Sequence, residues 1–429
     1  MNLGDAPHHN SFPGSRGRKV GARLIVALLC LSGAQAWSGE GPRRPKIRAV
    51  TAFIKIDRSQ FQRQIDDALT MLRSAKREFE KGGYEAQTLR ITTQPFPRYT
   101  QGLSRKQGLD LFRALEGLSQ RDGFVLNVGP ALLNDRDDSG QAELLAEILS
   151  TTGVFGSVVA AGDDGIHWQS VRAAAKVIKY VEAHSERGGH NFNFAALAMV
   201  PPYAPFFPGS YHTGGGHRFS IALEGGNFVF DIFAGAGGDF RVGQERLATQ
   251  LNDEARAIEA IALDVEKQSG WSYMGLDPSP APSFDSSIGA AIEKLSGAKF
   301  GSSGTMSVVA LITSALRGVQ AKRVGYAGLM LPPLEDPVLA QRWSEGAYDL
   351  DSLLAYSAVC GTGLDTVPLP GDVSEEQLAR MIGDVASLAF KWHKPLSARL
   401  IPVPGKKAGE NSGSYGPPGM PSATLREVR

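Results

Sequence analysis

Cysteine is nearly missing from this sequence: Cys30 and Cys360 are the two in a chain of 429 residues. That excludes a disulfide framework and a Cys-rich zinc domain. Charge of one sign is not in excess either. Lys and Arg number 45 against 44 Asp and Glu, a net charge of +1 with no basic block, which argues against an electrostatic nucleic-acid binder. No HExxH, CxxC, GxSxG, GxGxxG or Walker A pattern occurs, so none of the common zinc, redox, hydrolase or nucleotide signatures is carried in plain form. No apolar run approaches the roughly 20 residues that cross a bilayer. What is present is 42% hydrophobic and 21% charged sequence, enough to bury a large core and too much for a disordered chain. Glycine is abundant, 50 residues without a Gly-X-Y period, which excludes collagen and suggests many tight turns and close backbone approaches.

The first 36 residues read as an address. Arg16, Arg18, Lys19 and Arg23 precede the apolar run Leu24 to Leu31, and Ala34-Gln35-Ala36 fits an A-x-A cleavage site. The expectation is a signal peptide over 1–36 and export to the periplasm or medium without a stable membrane anchor. A polar lead-in follows over 37–46.

From there strands and helices alternate. Ala49–Ile56, Thr88–Thr93, Phe124–Val128 and Phe155–Ala161 read as strands. Between them come a helix opened by Ser59 with Phe61, Ile65, Leu69, Leu72 and Phe79 on one face, a second opened by Ser104, and a third over Gln141–Leu149. A further helix spans Gln169–His184. Short glycine-marked connections make these right-handed crossovers of a mostly parallel sheet. Further strands are expected at 194–200, 219–223, 322–329 and 397–401, and helices at 243–269, 286–296, 304–317, 349–358 and 374–391. Residues 276–283 (LDPSPAPS) read as a loop and 410–429 as a disordered Gly/Pro/Ser-rich tail. The chain is thus expected to form one large α/β domain over 47–409.

Five places carry candidate chemistry. In 358–372 (AVCGTGLDTVPLPGD), Gly361, Thr362 and Gly363 follow Cys360 directly, and Asp365 lies five residues on. Either the thiol stands on a glycine loop that binds an anion and acts as nucleophile or radical relay, or it is a small buried hydrophobe beside a turn. In 205–217, Tyr211 and His212 precede Gly214, Gly215 and Gly216, with His217 beyond. Here a general base competes with a loop whose histidines satisfy backbone groups. Glu224 is a candidate carboxylate partner. Asp163-Asp164-Gly165 follows a strand end, where ligands bind in parallel folds, though it is also ordinary turn chemistry. Lys406 and Lys407 after Gly405 suit an anionic group or a solvated turn. The segment 301–305 (GSSGT) opens a helix, where it suits an anion or plain capping.

The run Cys360 to Thr366 (CGTGLDT) with Pro368-Leu369-Pro370-Gly371-Asp372 resembles the signature of a pyruvate formate-lyase-like family known as domain of unknown function 711. Ile47–Ile54, Asn193–Val200, Phe206-Phe207-Pro208, Tyr211-His212, Gly214–Gly216, Leu276–Pro282 and Arg399–Lys407 extend the likeness over nearly the whole chain after residue 46. The resemblance implies a fold similar to the glycyl-radical enzymes, an α/β barrel of two parallel half-sheets with a cysteine loop reaching inside, where Cys360 would be the counterpart of the central thiol. Arg323-Val324-Gly325-Tyr326 mimics the radical-glycine loop but lacks its spacer residue and precedes the cysteine motif, so no glycyl radical is expected. The family reads as cytoplasmic, and the signal-like N-terminus departs from it.

Two function classes remain. One is a non-radical enzyme acting on a small anionic metabolite in the barrel, with Cys360, Asp365 and His212 catalytic. Gly361, Thr362, Gly363, Tyr211, Gly214, Gly215, Gly216, Asp163 and Lys406 would then bind the ligand. The other is a binding or sensing protein that uses the same pocket without turnover. A small-molecule ligand is expected and nucleic acid is not; the sequence permits a homo-oligomer and names neither a metal nor a cofactor.

Overall fold

Ten strands build the framework: β1 (Lys46–Ile54), β2 (Ala86–Thr93), β3 (Val125–Pro130), β4 (Phe155–Gly162), β5 (Gly165–Ile166), β6 (Phe194–Ala198), β7 (Arg218–Glu224), β8 (Ser272–Ala281), β9 (Gly363–Pro370) and β10 (Leu396–Val403). The computed structural model describes residues 41–414 and 420–428, and Gly41–Arg429 form one compact unit. The strand order is β8-β7-β1-β2-β3-β4-β6-β10-β9, with β5 a short hairpin on β4. β1, β2, β3, β4 and β6 run parallel to one another. β7 and β10 pair antiparallel with the two ends of that set, and each carries a parallel outer neighbour, β8 or β9. The result is two half-sheets of opposite direction, each parallel within itself.

β8 and β9 are not paired with each other, and the segment 322–330 spans between them. On one side the Leu276 amide donates to the Lys322 carbonyl at 2.7 Å and Val324 N–H to Leu276 O at 3.1 Å. On the other, the Thr362 hydroxyl donates to Leu329 O at 3.2 Å. Strands on both half-sheets line one common cavity, so the sheet is curled into a barrel closed by this irregular seam.

The helices form the outer layer. Arg105–Asp122 opens with a capping box in which Ser104 accepts from Gln107 N–H, and it ends at left-handed Gly123. Phe61–Lys81 buries Ile65, Leu69, Leu72 and Phe79. Ser59 does not cap it, being hydrogen-bonded to Asp57 instead. Alternation along β1 shows the two-sidedness of the sheet. Val50, Ala52 and Ile54 pack into the large core toward the helices, while Ala49 joins a smaller inner cluster with Ala195, Leu197, Ala222, Phe206, Tyr326 and Met330. No helix among the described residues is long and apolar enough to cross a membrane.

Three local expectations are corrected. Residues 276–283 are not a loop, since 276–281 complete β8. Residues 363–370, read as part of a glycine loop, are β9. The 322–329 run is not a strand, because Gly325 (φ 79°) and Ala327 (φ 43°) break the extended backbone. Segment 420–428 also departs from the disorder its composition suggests. Ala423 and Leu425 are buried, the Trp343 indole N–H donates to Thr424 O at 2.8 Å, and Arg426 donates to Trp343 O.

Candidate functional site

The barrel interior is plugged from within by residues 203–213, and inward-facing polar residues hold the plug. Thr51 on β1 donates to Pro205 O at 3.0 Å, and Asn127 on β3 donates through Nδ2 to Pro208 O at 3.0 Å. The Thr92 and Ser210 hydroxyls lie 2.7 Å apart, and Ser220 on β7 donates to Tyr203 O at 2.9 Å. Each strand residue is fully or almost fully buried, so the loop supplies the partners that buried hydroxyls and amides require. Such polar residues inside apolar strands are the sequence signal of a filled barrel.

The plug occupies the end where ligands bind in ordinary parallel folds. The main cavity, about 670 Å³, therefore lies toward the other end, floored by Phe206 to Gly209. Arg48, Arg90, Val125 and Phe155 reach it from β1 to β4, and Asp365, Ser397 and Arg399 from β9 and β10.

One wall is a buried ion cluster. The Arg399 guanidinium donates through Nη1 to Glu335 at 2.7 Å and to Asp365 at 3.1 Å, and through Nε to Phe192 O at 3.0 Å. Burial pushes the Asp365 carboxyl up to about 6; Arg399 pulls it down and Glu335 pushes it up. Asp365 and Glu335 share the one guanidinium of Arg399. Near neutrality Asp365 exchanges a proton readily, which is what general acid–base chemistry asks of a carboxyl. Tyr326 stands beside this wall. Its amide donates to Asp277 at 2.7 Å, and burial holds its phenol well above the ordinary range, so it stays protonated.

The opposite wall carries Arg90. It donates to Thr88 Oγ1 at 3.1 Å and more distantly to Pro205 O at 3.5 Å. Among the described residues its guanidinium has no carboxylate within ion-pair distance, whereas Arg48 pairs with Glu224 at 3.2 Å. Burial, followed by the positive charge of Arg48, lowers the Arg90 pKa; the more distant Glu335 raises it and Arg399 lowers it. Arg90 thus lacks a paired carboxylate, though Glu335 acts on it from farther off.

The residues expected to form the site are only partly brought together. Asp365 and Thr362 line the cavity. Cys360 does not. It is 1% exposed and packs in the core shared by sheet and helices, with its carbonyl accepting from Lys394. Its expected place in the cavity is corrected, because the apolar core encloses the thiol. His212 is also corrected: its Nε2 lies 2.8 Å from Ile54 O, it packs edge-on to Phe53, and burial lowers its pKa to about 4, leaving it neutral. Gly214, Gly215 and Gly216 lead from the plug into β7 and lie off the cavity, while Tyr211 donates to Val200 O at 2.8 Å and packs against the inner cluster. Asp163 is exposed at the β4–β5 hairpin turn. Lys406 donates to Asn411 O at 2.6 Å on a surface turn. Gly361 backs onto Gly328, and Gly363 is paired with Ser397 in the sheet, so neither forms an anion nest. Missed from the sequence were Arg90, Arg399, Glu335 and Tyr326; a lone arginine inside a strand such as β2 was the available hint. Among the described residues, no three His, Cys, Asp or Glu side chains converge as a metal-holding group.

The family described as Uncharacterised ACR (DUF711) matches residues 42–413. A UPF0210 protein of Pyrobaculum arsenaticum is 32% identical over 353 residues, covering 79% of this chain and 78% of its own. A UPF0210 protein of Desulforudis audaxviator is 30% identical over 75% of each. Among solved structures, the anaerobic ribonucleotide reductase from Thermotoga maritima in complex with dATP and CTP is similar with a TM-score of 0.43 and 9% identity, over 82% of this chain and 75% of that one. These matches correct one expectation. The family begins after the whole signal-like segment and its relatives give no support to export, so the signal peptide and periplasmic address are withdrawn. Residues 1–36 themselves lie outside the described residues.

Proposed function

The chain belongs to the DUF711/UPF0210 family, and from that footing we propose that it is a non-radical enzyme acting on a small organic anion in the barrel cavity. Arg90 is the group that holds the anion, and Asp365, steered by Arg399 and Glu335, is the group that moves a proton. The observation that carries the reading is Arg90: a guanidinium lining a cavity of about 670 Å³ without a carboxylate partner. A half-buried charge lining a cavity without a counter-ion is poorly compensated, and a bound carboxylate or phosphate would supply the bidentate partner it lacks. Cys360 takes no part.

A second reading has its own support. Both carboxylates of the ion cluster already accept hydrogen bonds from Arg399, which suits a binding or sensing protein that holds the anion without turning it over. Native mass spectrometry of the purified protein tests the shared part: an anionic small molecule that co-purifies with the wild type and is absent from Arg90→Gln supports the anion site. Retention of the same molecule by Arg90→Gln rejects it. Conversion of the recovered molecule by wild type but not by Asp365→Asn then separates the enzyme from the binder.

A further inference from the structure

Three phenyl rings connect the two arginines of the cavity. The Arg90 guanidinium carbon lies 5.0 Å from the centroid of Phe207. Phe207 is 5.5 Å from Phe155, Phe155 is 6.5 Å from Phe192, and the Arg399 guanidinium carbon lies 4.1 Å from Phe192. All five side chains line the cavity. The three rings are only half-buried, although they stand inside the barrel. Packed interiors cover their phenyl rings, so these keep an apolar face turned to the empty space. One end of the strip is the guanidinium that lacks a carboxylate partner. The other is the guanidinium held by Asp365 and Glu335, where a polar, uncharged or proton-donating group is accommodated and a second anion is repelled.

We infer that the ligand is a ring-bearing monoanion: its acidic group on Arg90, its apolar ring packed among Phe207, Phe155 and Phe192, whose planes are tilted 51° and 71° to one another. This rests on the reading of the cavity as an anion site and adds the chemical class of the body behind the charge. A ring set among the three tilted phenyls covers the exposed apolar area by a mixture of face and edge contacts. A short aliphatic anion would satisfy Arg90 and leave the strip wet.

Isothermal titration of the full chain at neutral pH with 1-naphthoate, the uncharged 1-naphthamide and butyrate tests the inference. The expected result is 1-naphthoate binding tighter than butyrate by about tenfold or more. Phe155→Leu, which stays apolar but has no ring, is expected to shrink that gap severalfold while leaving butyrate unaffected. Phe207→Leu serves as the second variant should Phe155→Leu fail to fold, as judged by its circular-dichroism melt. Butyrate binding as tightly as 1-naphthoate, with both weakened in Arg90→Gln, overturns the ring-bearing body and leaves the anion site standing. Naphthamide binding as tightly as naphthoate, indifferent to Arg90→Gln, overturns the anion site and the monoanion together. Absence of heat from all three compounds overturns both.

Discussion

Gly328 and Gly361 meet back to back: a Cβ on Gly361 would come within 2.2 Å of the Gly328 Cα, and the reverse is equally close. This contact joins the barrel seam to the turn that follows Cys360. It sets how near the 326–330 wall stands to β9, and therefore where Tyr326 faces Asp365 and Arg399. No side chain fits at either position without moving backbone. Gly361→Ala is expected to cost about 1–3 kcal/mol, the usual scale of overpacking, with a widened seam. Urea denaturation of the variant against wild type measures it; an unchanged midpoint would show that the seam is soft.

Arg90→Gln should weaken binding of any anionic ligand by about 10- to 100-fold, the worth of a charge-assisted hydrogen bond. Stability should hold or rise, because burial and the charge of Arg48 oppose the cation more than Glu335 favours it. Ligand titration and chemical denaturation on the same sample read both. A large stability loss with binding intact would make Arg90 a structural residue.

Cys360→Ser should cost about 1–3 kcal/mol, since a hydroxyl enters the sheet–helix core without a partner there. Ligand binding in the folded variant should stay as in wild type. Alkylation of the native thiol should be slow for a side chain at 1% exposure. Loss of binding with unchanged stability would return Cys360 to the site.

Asp365 titrates at about 6 when folded against 3.8 for the unperturbed group. Between those values the folded protein keeps a proton that the unfolded chain has released, so this residue makes stability fall as pH rises from about 4 to 6. Asp365→Asn removes the effect. The stability of the variant relative to wild type should therefore climb across that window, by at most about 3 kcal/mol. Guanidinium melts of both proteins at pH 4, 5, 6 and 7 supply the comparison, and a flat difference would place the Asp365 carboxyl in the ordinary range.

Truncation after residue 419 removes buried Ala423 and Leu425 and the hydrogen bonds of Thr424 and Arg426 to Trp343. Burial of one leucine alone contributes about 1.5–3 kcal/mol. The shortened chain should melt several degrees lower, and its Trp343 fluorescence should shift to the red. An unaltered melt would support the tail as dispensable.

The alternating first half was legible because its strands and helices carry unbroken periodicity and orthodox ends, Ser104 with Gln107 and Gly123 among them. β8 and β9 were not, since Pro278 and Pro280 in one and Pro368 and Pro370 in the other signal turns. They are the two terminal strands of the sheet, the place where a proline's missing N–H breaks no ladder. That position is a property of the assembled barrel and is invisible along the chain.

The sequence by itself determined the α/β class, the alternating strands and helices of the first half and the family likeness, because each follows from local periodicity or a contiguous motif. Tertiary structure alone decided the site. Arg90, Glu335, Asp365 and Arg399 are spread over more than 300 positions of sequence, and only barrel closure brings them to one cavity. The same closure turned Cys360 and His212 away from it. A residue beside a tight glycine turn can face either side of a sheet, and here the thiol lies in the large apolar core while Gly361 packs on Gly328. The plug of residues 203–213 then filled the end of the barrel where an open parallel sheet would have bound its ligand.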